Sequence, residues 1–345
     1  MDYAIKHWEE NTDFEELKKR IGEKKIVVWG AYIGGKHVRR ILTEKGFSVK
    51  SYVDGHKSAC EYDDLPIIRP NEKNEEDVYI FIAVIGVRKE IMRYLNEWNM
   101  KEGNDYTYIS KMIPSVVVTE CTGGYADHNG NRLECKDDQI RCRIEFKGFN
   151  SSIRIGRDFA ALKGAKITVE SGCEVVIGDS MRLCENVVVE VLTDGKLKIG
   201  NNCLCYKDSR ISCKGKEISL GNYVTMGDRF FCSNSKSSVI SIGNDCMFSH
   251  DVSVLAGGHS IFDIETKENV SMKRQRCVKI GNHVWLGKNA VILHNAEIGN
   301  GCIVGASSVA KIKTGDNCII AGNPAKVIKT NHTWDRRSDI EFEDI

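Results

Sequence analysis

The sequence predicts an α/β domain with a parallel sheet, followed by a long all-β domain in which short parallel strands form a repeating coil. In the first third of the chain, β-branched runs alternate with amphipathic helical stretches, which is typical of a parallel sheet with crossover helices. From Ile153 onward, large aliphatic residues recur with a short period, and glycine follows many of them. The 345 residues also exceed the usual size of one domain, so we expect two.

The charge balance excludes several classes of partner. Lys and Arg number 49 against 48 Asp and Glu, so no strong net field would attract nucleic acid or an anionic membrane surface. The first twenty residues mix both charges without an apolar stretch, and no long apolar run follows. We therefore expect a cytoplasmic protein without membrane insertion. The 14 cysteines include no CxxC pair, so we expect no metal site and a reduced core.

The first 114 residues carry the signals of the α/β domain. An amphipathic helical pattern runs through Lys19, with Asp13 as a candidate cap. The strand KIVVWG, the helix GKHVRRIL and a strand that ends at Asp54 then form a βαβ unit. A third strand, DVYIFIAV, precedes a helix over 89–99, and YTYIS is a last strand.

The rest of the chain divides into three segments. The segment GYADHNGNRLEC contains an Asn-Gly turn between extended runs and predicts a hairpin, so we assign 115–150 to a hairpin linker. Residues 151–330 form the repeating β domain, and 331–345 form a C-terminal tail.

The repeat has a period of six. Large aliphatic residues stand six apart at Ile280, Leu286, Ile292, Ile298 and Val304. Small or β-branched residues lie four positions after each of them, at Val284, Ala290, Ala296, Cys302 and Ser308. Such a period predicts a short strand, a turn, and an equivalent position on the next face of a three-sided prism. Cys203, Cys246 and Cys318 occupy the same small-residue position, so we expect these thiols to fill the core.

One coil is interrupted. Ile-Gly or Leu-Gly pairs begin at residues 155, 177, 199, 220, 242, 280 and 298. The interval of 18 between the last two is one plain coil, whereas the interval of 38 before them leaves a loop of about twenty residues between Ala256 and Val278. Because a regular prism has no natural cleft, this loop is the best place for a site.

Several segments resemble a known family. The strings VKIGNHVWLGKNAVIL, IVGASSVAK and IIAGNPAKVIK are similar to those of hexapeptide-repeat acyltransferases, in particular the galactoside, maltose and capsular polysaccharide O-acetyltransferases. The resemblance implies a left-handed parallel β-helix and a homotrimer. It also implies transfer of an acetyl group from acetyl-CoA to a sugar hydroxyl of a cell-surface polysaccharide or its precursor.

The resemblance assigns a catalytic base. His259 lies in the long loop, 17 residues after Ile242, which is the family's spacing for the general base. A sugar hydroxyl is barely acidic, so a neutral imidazole has to accept its proton as the oxygen attacks the thioester. Asp263 is our candidate for the residue that orients the imidazole; Asp251 and Glu265 remain alternatives. Members of the capsule type often carry an Asp shortly before this His, where here Gly258 and its neighbour stand.

The resemblance also predicts binding residues. Those for the coenzyme are Trp285, Gly287, Ala306, Ser307, Lys311, Lys326 and Lys329. Those for the acceptor are Ser233 and Asn234 in FFCSNSKSS. The lysines would supply charge to the phosphates.

The N-terminal domain carries an incomplete dinucleotide motif. In GAYIGG, Gly30 and Gly35 match the pattern, but Tyr32 replaces the second glycine and obstructs a pyrophosphate. A complete NAD site is therefore not expected. The domain resembles the Rossmann-like domains fused to some sugar acyltransferases, which bind nucleotide sugars in some members; a scaffold without ligand is the alternative.

Two other functions remain open. The fused N-terminal domain suggests an N-acyltransferase that acts on a nucleotide-linked amino sugar. A noncatalytic β-helix that displays its N-terminal domain is the third possibility, and the combination of His259, Trp285 and GNPAK argues against it.

Overall fold

The computed structural model describes residues 2–56, 58–72, 77–84, 89–109, 115–137, 140–192, 194–235, 237–259, 261–269 and 276–338. These residues belong to two units, Met1–Pro114 and Ser115–Ile345. Among the described helices, none has the length and apolar character needed to cross a bilayer.

The first unit is a small α/β domain with a mainly parallel sheet. Its helices are α1 (Asp2–Asn11), α2 (Phe14–Ile21), α3 (Ile33–Glu44) and α4 (Lys89–Glu97), and a 3-10 turn spans Pro70–Glu72. Its strands are β1 (Lys25–Trp29), β2 (Val49–Val53), β3 (Glu61–Tyr62), β4 (Leu65–Ile68), β5 (Val78–Ile82) and β6 (Tyr106–Tyr108). The order is β3-β4-β2-β1-β5-β6, and only β3 and β4 pair antiparallel. Separate apolar clusters cover the two faces of this sheet.

The predicted elements of this unit are present, with two differences. The opening helical stretch is two helices, because the Asp13 carboxylate accepts hydrogen bonds from the amides of Glu15 and Glu16 and so caps α2. The β3–β4 hairpin was not predicted, because β3 has two residues and β4 contains Pro66.

The second unit is a β-solenoid with three faces of nine strands each. Face 1 comprises β7 (Ser115–Cys121), β10 (Ile140–Lys147), β13 (Lys166–Glu170), β16 (Val188–Val191), β19 (Arg210–Cys213), β22 (Phe231–Ser233), β25 (Ser253–Leu255), β28 (Val291–Leu293) and β31 (Val309–Ala310). Face 2 comprises β8 (Tyr125–Ala126), β9 (Arg132–Cys135), β11 (Ser152–Ile155), β14 (Glu174–Ile177), β17 (Lys196–Ile199), β20 (Glu217–Leu220), β23 (Val239–Ile242), β26 (Cys277–Ile280) and β29 (Glu297–Ile298). Face 3 comprises β12 (Ala160–Ala161), β15 (Arg182–Leu183), β18 (Leu204–Cys205), β21 (Thr225–Met226), β24 (Met247–Phe248), β27 (Trp285–Leu286), β30 (Ile303–Val304), β32 (Cys318–Gly322) and β33 (Ala325–Thr330).

The period of six is confirmed as the inward position of each face. Ile280, Leu286, Ile292, Ile298 and Val304 are each at most 3% exposed. They belong to one continuous core that runs the length of the solenoid. Burial of these side chains is the main source of stability, because each fully buried aliphatic side chain contributes about 1.5–3 kcal/mol.

The predicted linker is part of the solenoid. β7 and β10 pair antiparallel and open face 1, and β10 continues in parallel register with β13. β8 and β9 form an antiparallel hairpin at the end of face 2. The hairpin predicted in GYADHNGNRLEC is therefore confirmed, but the assignment of 115–150 to a linker is wrong. The first regular coil would otherwise expose an unpaired edge and an open core, and these strands cover both.

The corner between faces 2 and 3, which we call the ladder corner, is held by a chain of side-chain hydrogen bonds. A carboxylate or amide oxygen on each coil accepts the backbone N–H of the equivalent residue one coil earlier. The acceptors are Asp179, Asn201, Asn222, Asn244, Asn282, Asn300 and Asp316, at 2.7–2.9 Å. A glycine precedes each of the seven acceptors. At every one of these glycines except Gly315 the coils approach closely: a Cβ on Gly281 would lie 2.8 Å from the Asn300 nitrogen.

Cysteines line the inner side of the same corner. The thiols of Cys203, Cys246 and Cys302 donate to the carbonyl oxygens of Gly221, Gly281 and Gly315, at 3.2–3.3 Å. Cys203, Cys246, Cys302 and Cys318 are all buried, which confirms their predicted place in the core.

Candidate active site

The long loop leaves the corner between faces 1 and 2, which we call the loop corner. It begins after β25, where Ala256 is fully buried, and it returns through Arg276 into β26. The carbonyl of Arg276 accepts the Val239 amide at 3.3 Å, so this residue is anchored in face 2. Within the loop, Phe262 and Asn269 form an isolated antiparallel bridge.

His259 lies three residues into this loop and is exposed. Its carbonyl oxygen accepts a hydrogen bond from Nη2 of Arg276 at 3.1 Å. Within the described part of the chain, its ring makes no hydrogen bond or ion pair. Among the described residues, neither ring nitrogen is therefore occupied by a partner, as a group that accepts a proton from a substrate requires.

Asp263 is engaged in its own turn. One carboxylate oxygen accepts the amides of Thr266, at 2.8 Å, and Glu265, at 2.9 Å. The hydrogen bonds from Thr266 are the main cause that lowers the pKa of this carboxyl. The structure does not bring Asp263 to the His259 ring, so its expected orienting role lacks a contact. The alternative Asp251 binds Arg229 through both oxygens, at 2.6 and 2.8 Å.

Asn234 was predicted to bind the acceptor, but both polar atoms of its side chain form hydrogen bonds with the backbone of the solenoid. It is 2% exposed, and its Oδ1 accepts the amides of Lys214, at 2.8 Å, and Gly215, at 2.9 Å. Its Nδ2 donates to the carbonyls of Glu217, at 3.1 Å, and Ser238, at 2.9 Å. Asn234 therefore closes a turn at the loop corner, and its predicted contact with substrate is wrong.

Ser233 lies beside the start of the loop. It pairs with Leu255 on β25, and its carbonyl accepts the Ala256 amide at 3.0 Å. Its side chain is half-buried. Ser233 is thus adjacent to the strand that leads to His259, and its acceptor-binding role stays a prediction.

His294 is a second histidine at the loop corner, one coil after the loop. Leu255 pairs with Leu293, which places His294 beside the point where the loop leaves. The ring is half-buried, and its Nδ1 is buried without a partner among the described residues. Burial lowers the pKa of His294, and the charges of Lys311 and Arg276 lower it further. The ring is therefore neutral at neutral pH.

Trp285, Gly287, Ala306 and Ser307 meet on face 3 and at the corner that follows it. Trp285 is half-buried on β27, and its Nε1 donates to Ser249 Oγ at 3.2 Å. A Cβ on Gly287 would lie 2.7 Å from the Ala306 nitrogen, so only glycine permits this approach of the coils. Ala306 and Ser307 are exposed at the same corner. Four of the predicted coenzyme residues are thus close together.

The three lysines predicted to bind the coenzyme lie in two different parts of the solenoid. Lys326 and Lys329 lie on β33, which pairs antiparallel with β32 at the C-terminal end of face 3, and both are exposed. Lys311 follows β31 on face 1 and is part of the loop corner near His294. The structure therefore separates Lys311 from the face that carries Trp285.

The predicted tail folds back onto the solenoid in its described part. Trp334 is 6% exposed and stacks on His283, with ring centroids 4.4 Å apart and an interplanar angle of 10°. Its ring lies 6.2 Å from that of Trp285. Arg336 binds the Asp245 carboxylate at 3.0 Å. The segment has no repeat period, but an isolated tryptophan in a charged tail was a signal that it docks.

The N-terminal motif GAYIGG forms a tight strand-to-helix turn. A Cβ on Gly35 would lie 1.9 Å from the Gly30 carbonyl oxygen, so the helix can approach the strand only with glycine there. Tyr32 is 54% exposed. The Asp54 carboxylate accepts the amides of Ala31, at 3.1 Å, and His56, at 2.8 Å. Asp54 therefore stabilises the turn.

Comparisons with known proteins find relatives of the solenoid. Residues 277–310 match the bacterial transferase hexapeptide family (six repeats). A polysialic acid O-acetyltransferase of Escherichia coli O1:K1 / APEC is 32% identical over 137 residues, which are 39% of this chain and 44% of that protein. A putative lipopolysaccharide biosynthesis O-acetyl transferase, WbbJ of E. coli K12, is 31% identical over 41% of this chain and 76% of that protein. The crystal structure of the polySia specific acetyltransferase NeuO aligns with a TM-score of 0.49 at 25% identity, over 63% of this chain and 94% of that chain.

The fold and the loop define a hexapeptide-repeat β-solenoid in which one histidine-bearing loop interrupts the coils. The similarity to WbbJ spans most of that relative. The chain therefore belongs to the hexapeptide-repeat family of acyltransferase enzymes, whose relatives described above are named O-acetyltransferases.

Proposed function

We propose that this protein transfers an acetyl group from acetyl-CoA to a hydroxyl of a sugar, with His259 as general base. The observation that carries the proposal is the position of His259: it is exposed, and it lies in the long loop of a solenoid that belongs to an acyltransferase family. Loops on a rigid scaffold are the usual positions of catalytic and binding residues, and this loop interrupts the regular coils.

The reaction proceeds by direct transfer. The neutral imidazole of His259 accepts the hydroxyl proton while the sugar oxygen attacks the thioester carbonyl. The resulting tetrahedral intermediate collapses, the carbon–sulfur bond breaks, and the acetyl ester remains on the sugar. The imidazolium then returns the proton to the leaving thiolate of coenzyme A. Direct transfer requires no acyl-enzyme.

The coenzyme site is proposed on face 3. Trp285 supplies an apolar wall, and the exposed corner at Ala306 and Ser307 supplies backbone groups to the pantetheine arm. Lys326 and Lys329 extend from β33 toward the phosphates, where a cation contributes charge-assisted hydrogen bonds. We propose no metal and no other cofactor.

A left-handed winding and a homotrimer are part of the proposal. On face 1, the outward residues of β10 are all charged, whereas those of the late strands are largely apolar. The late apolar residues include Phe231, which is 37% exposed, and the half-buried Leu255, Val291, Leu293 and Val309. This change supports an interface between copies beside the loop corner. Light scattering of the purified protein should give three copies, and a fully active monomer would contradict the trimer.

The acceptor is proposed to be a cell-surface polysaccharide or its precursor, because the relatives are named for polysialic acid and for lipopolysaccharide biosynthesis. We further propose that the protein acts in the cytoplasm. The N-terminal α/β domain is proposed to be Rossmann-like, with a nucleotide sugar as its ligand or no ligand at all.

The test is a screen for acetyl-CoA-dependent thiol release with oligosaccharides and nucleotide sugars, followed by mass spectrometry of the acceptor. We expect release with at least one hydroxyl acceptor, and an acceptor that gains one acetyl group. Release only with an amino sugar would favour the N-acyltransferase. No release with any saccharide would contradict both.

A further inference from the structure

We propose that Arg276 is a positioning residue that holds the His259 segment of the loop in its working position. The inference rests on the proposed role of His259. Arg276 is the last residue of the loop and His259 is the third residue after Ala256, so one contact joins the exit of the loop to its entry. We call this contact between Arg276 and the segment 257–259 the clasp.

The clasp is anchored on a rigid element. The backbone of Arg276 accepts a hydrogen bond from Val239 and leads directly into β26, whose residues pair with β23 over four positions. The guanidinium therefore extends from a strand of the solenoid. From there, Nη2 donates to the carbonyl oxygen of His259 at 3.1 Å. The backbone that carries the imidazole is thus fixed to face 2 by a charge-assisted hydrogen bond.

Gly258 shows that the guanidinium also fills space at this point. A Cβ on Gly258 would lie 2.1 Å from Nη1 and 2.8 Å from Cζ of Arg276. The φ of Gly258 is not in the left-handed region, so its backbone conformation does not by itself require glycine. A larger residue at 258 would therefore have to displace the guanidinium from its present position. A planar guanidinium can lie against the chain and donate at the same time, which the ammonium of lysine cannot do equally well.

The groups around the guanidinium do not supply a competing partner among the described contacts. Lys311 is cationic, and His294 is neutral because burial and the two nearby cations lower its pKa. Since neither group attracts the guanidinium electrostatically, the carbonyl of His259 is the acceptor that holds it. The clasp therefore depends on the position of the His259 carbonyl oxygen.

The predicted effect is on turnover. A catalytic group displaced by about 1 Å can lose about a hundredfold in rate. Arg276→Ala should therefore lower kcat about 10- to 100-fold and leave KM for acetyl-CoA within about twofold. Arg276→Lys should recover part of kcat, and free guanidinium ion at non-denaturing concentration should partly rescue Arg276→Ala. Lys279→Ala, an exposed position on the same strand, is the matched control and should behave as wild type.

A double-mutant cycle tests the geometry. Gly258→Ala should displace the guanidinium and lower kcat like Arg276→Ala, and the double variant should be no slower than either single variant, because both remove the same contact. Additive losses would overturn the clasp. A raised acceptor KM with unchanged kcat in Arg276→Ala would also overturn it, since that result marks direct substrate binding.

Hydrogen exchange separates this proposal from the proposed function. In the protein without substrate, Arg276→Ala should increase amide exchange in peptides that contain 257–259, while peptides of β28 stay protected. That result stands even if no saccharide accepts an acetyl group, in which case the proposed function alone fails. Unchanged exchange in 257–259 would overturn the clasp regardless of activity.

Discussion

The ladder corner and the loop corner belong to the same solenoid, yet they are built differently. At the ladder corner, each coil repeats the same Gly-Asn or Gly-Asp step, and each side-chain oxygen accepts the backbone of the previous coil. At the loop corner, successive coils differ: Asn234 closes a buried turn, the next coil extends the loop with His259, and the coil after that presents His294.

The difference shows where the solenoid can carry chemistry. A repeated corner satisfies its own backbone groups and leaves little to vary without loss of stability. A corner whose sequence differs from coil to coil can place a histidine, a cation or an apolar side chain at one particular coil along the solenoid axis. Changes at the two corners should therefore have separable effects on stability and on turnover.

The largest expected effect is at the loop corner. His259→Ala should lower kcat by about 10²–10⁴, the usual contribution of a general base, while coenzyme binding and the unfolding midpoint stay close to wild type. Steady-state kinetics and calorimetry measure the two quantities. His250→Ala is the control, because His250 is also exposed but lies on another corner, where its Nδ1 accepts the Asp228 amide. Near-normal turnover of His259→Ala on a hydroxyl acceptor would disprove the assignment.

The thiols of the ladder corner should be protected. Burial raises the pKa of Cys246 to about 11 from the ordinary value of 9.0, which leaves about a hundredfold less thiolate at neutral pH. Alkylation of the native protein should therefore modify the exposed Cys60 first and Cys246 and Cys302 slowly. Mass spectrometry of timed samples measures the order. Rapid labelling of the buried cysteines would mean that this corner opens.

Face 3 should bind the coenzyme without setting the rate. The double change Lys326→Ala with Lys329→Ala should raise KM for acetyl-CoA about 5- to 30-fold, from roughly 0.5–1 kcal/mol for each exposed cation. Because the proposed role of these cations is to bind the phosphates, which lie far from the reacting carbonyl, kcat at saturation should change little. The effect should weaken as salt is added. Lys163→Ala, exposed elsewhere on the solenoid, should leave KM unchanged. A loss of kcat with unchanged KM would instead place these lysines in the chemistry.

The smallest expected effect is on the ladder corner. Asn282→Ala removes the acceptor for the Asn244 amide and should lower the free energy of unfolding by about 1 kcal/mol, with kcat unchanged. Asn282→Asp is the control, since Asp179 and Asp316 serve as acceptors in the same ladder. Denaturant unfolding measures both variants. An equal loss of stability in both variants would contradict the role of the Asn282 oxygen as an acceptor. A loss of turnover would contradict the separation of stability and turnover between the two corners.

The sequence predicted the parts of the structure that repeat. The period of six located the inward residues, and the interval of 38 located the loop, because both depend only on local spacing. The roles of single side chains depended on contacts that spacing does not encode. An asparagine such as Asn234 serves a buried turn as well as a binding site, so its residue type does not tell the two apart. Arg276 contacts His259, which lies at the other end of the loop. Trp334 stacks on His283, which lies in a turn of the solenoid far from it in the chain.

The chemical linkage formed on the acceptor tests directly whether His259 promotes transfer to a hydroxyl. Acetyl-CoA labelled in its acetyl group should transfer that label to a saccharide as an ester, which hydroxylamine at mild alkaline pH removes. His259→Ala should transfer it at least about a hundredfold more slowly. A label that resists hydroxylamine, as an amide does, and transfers equally fast without His259 would contradict both O-acetylation and the role of His259 as general base.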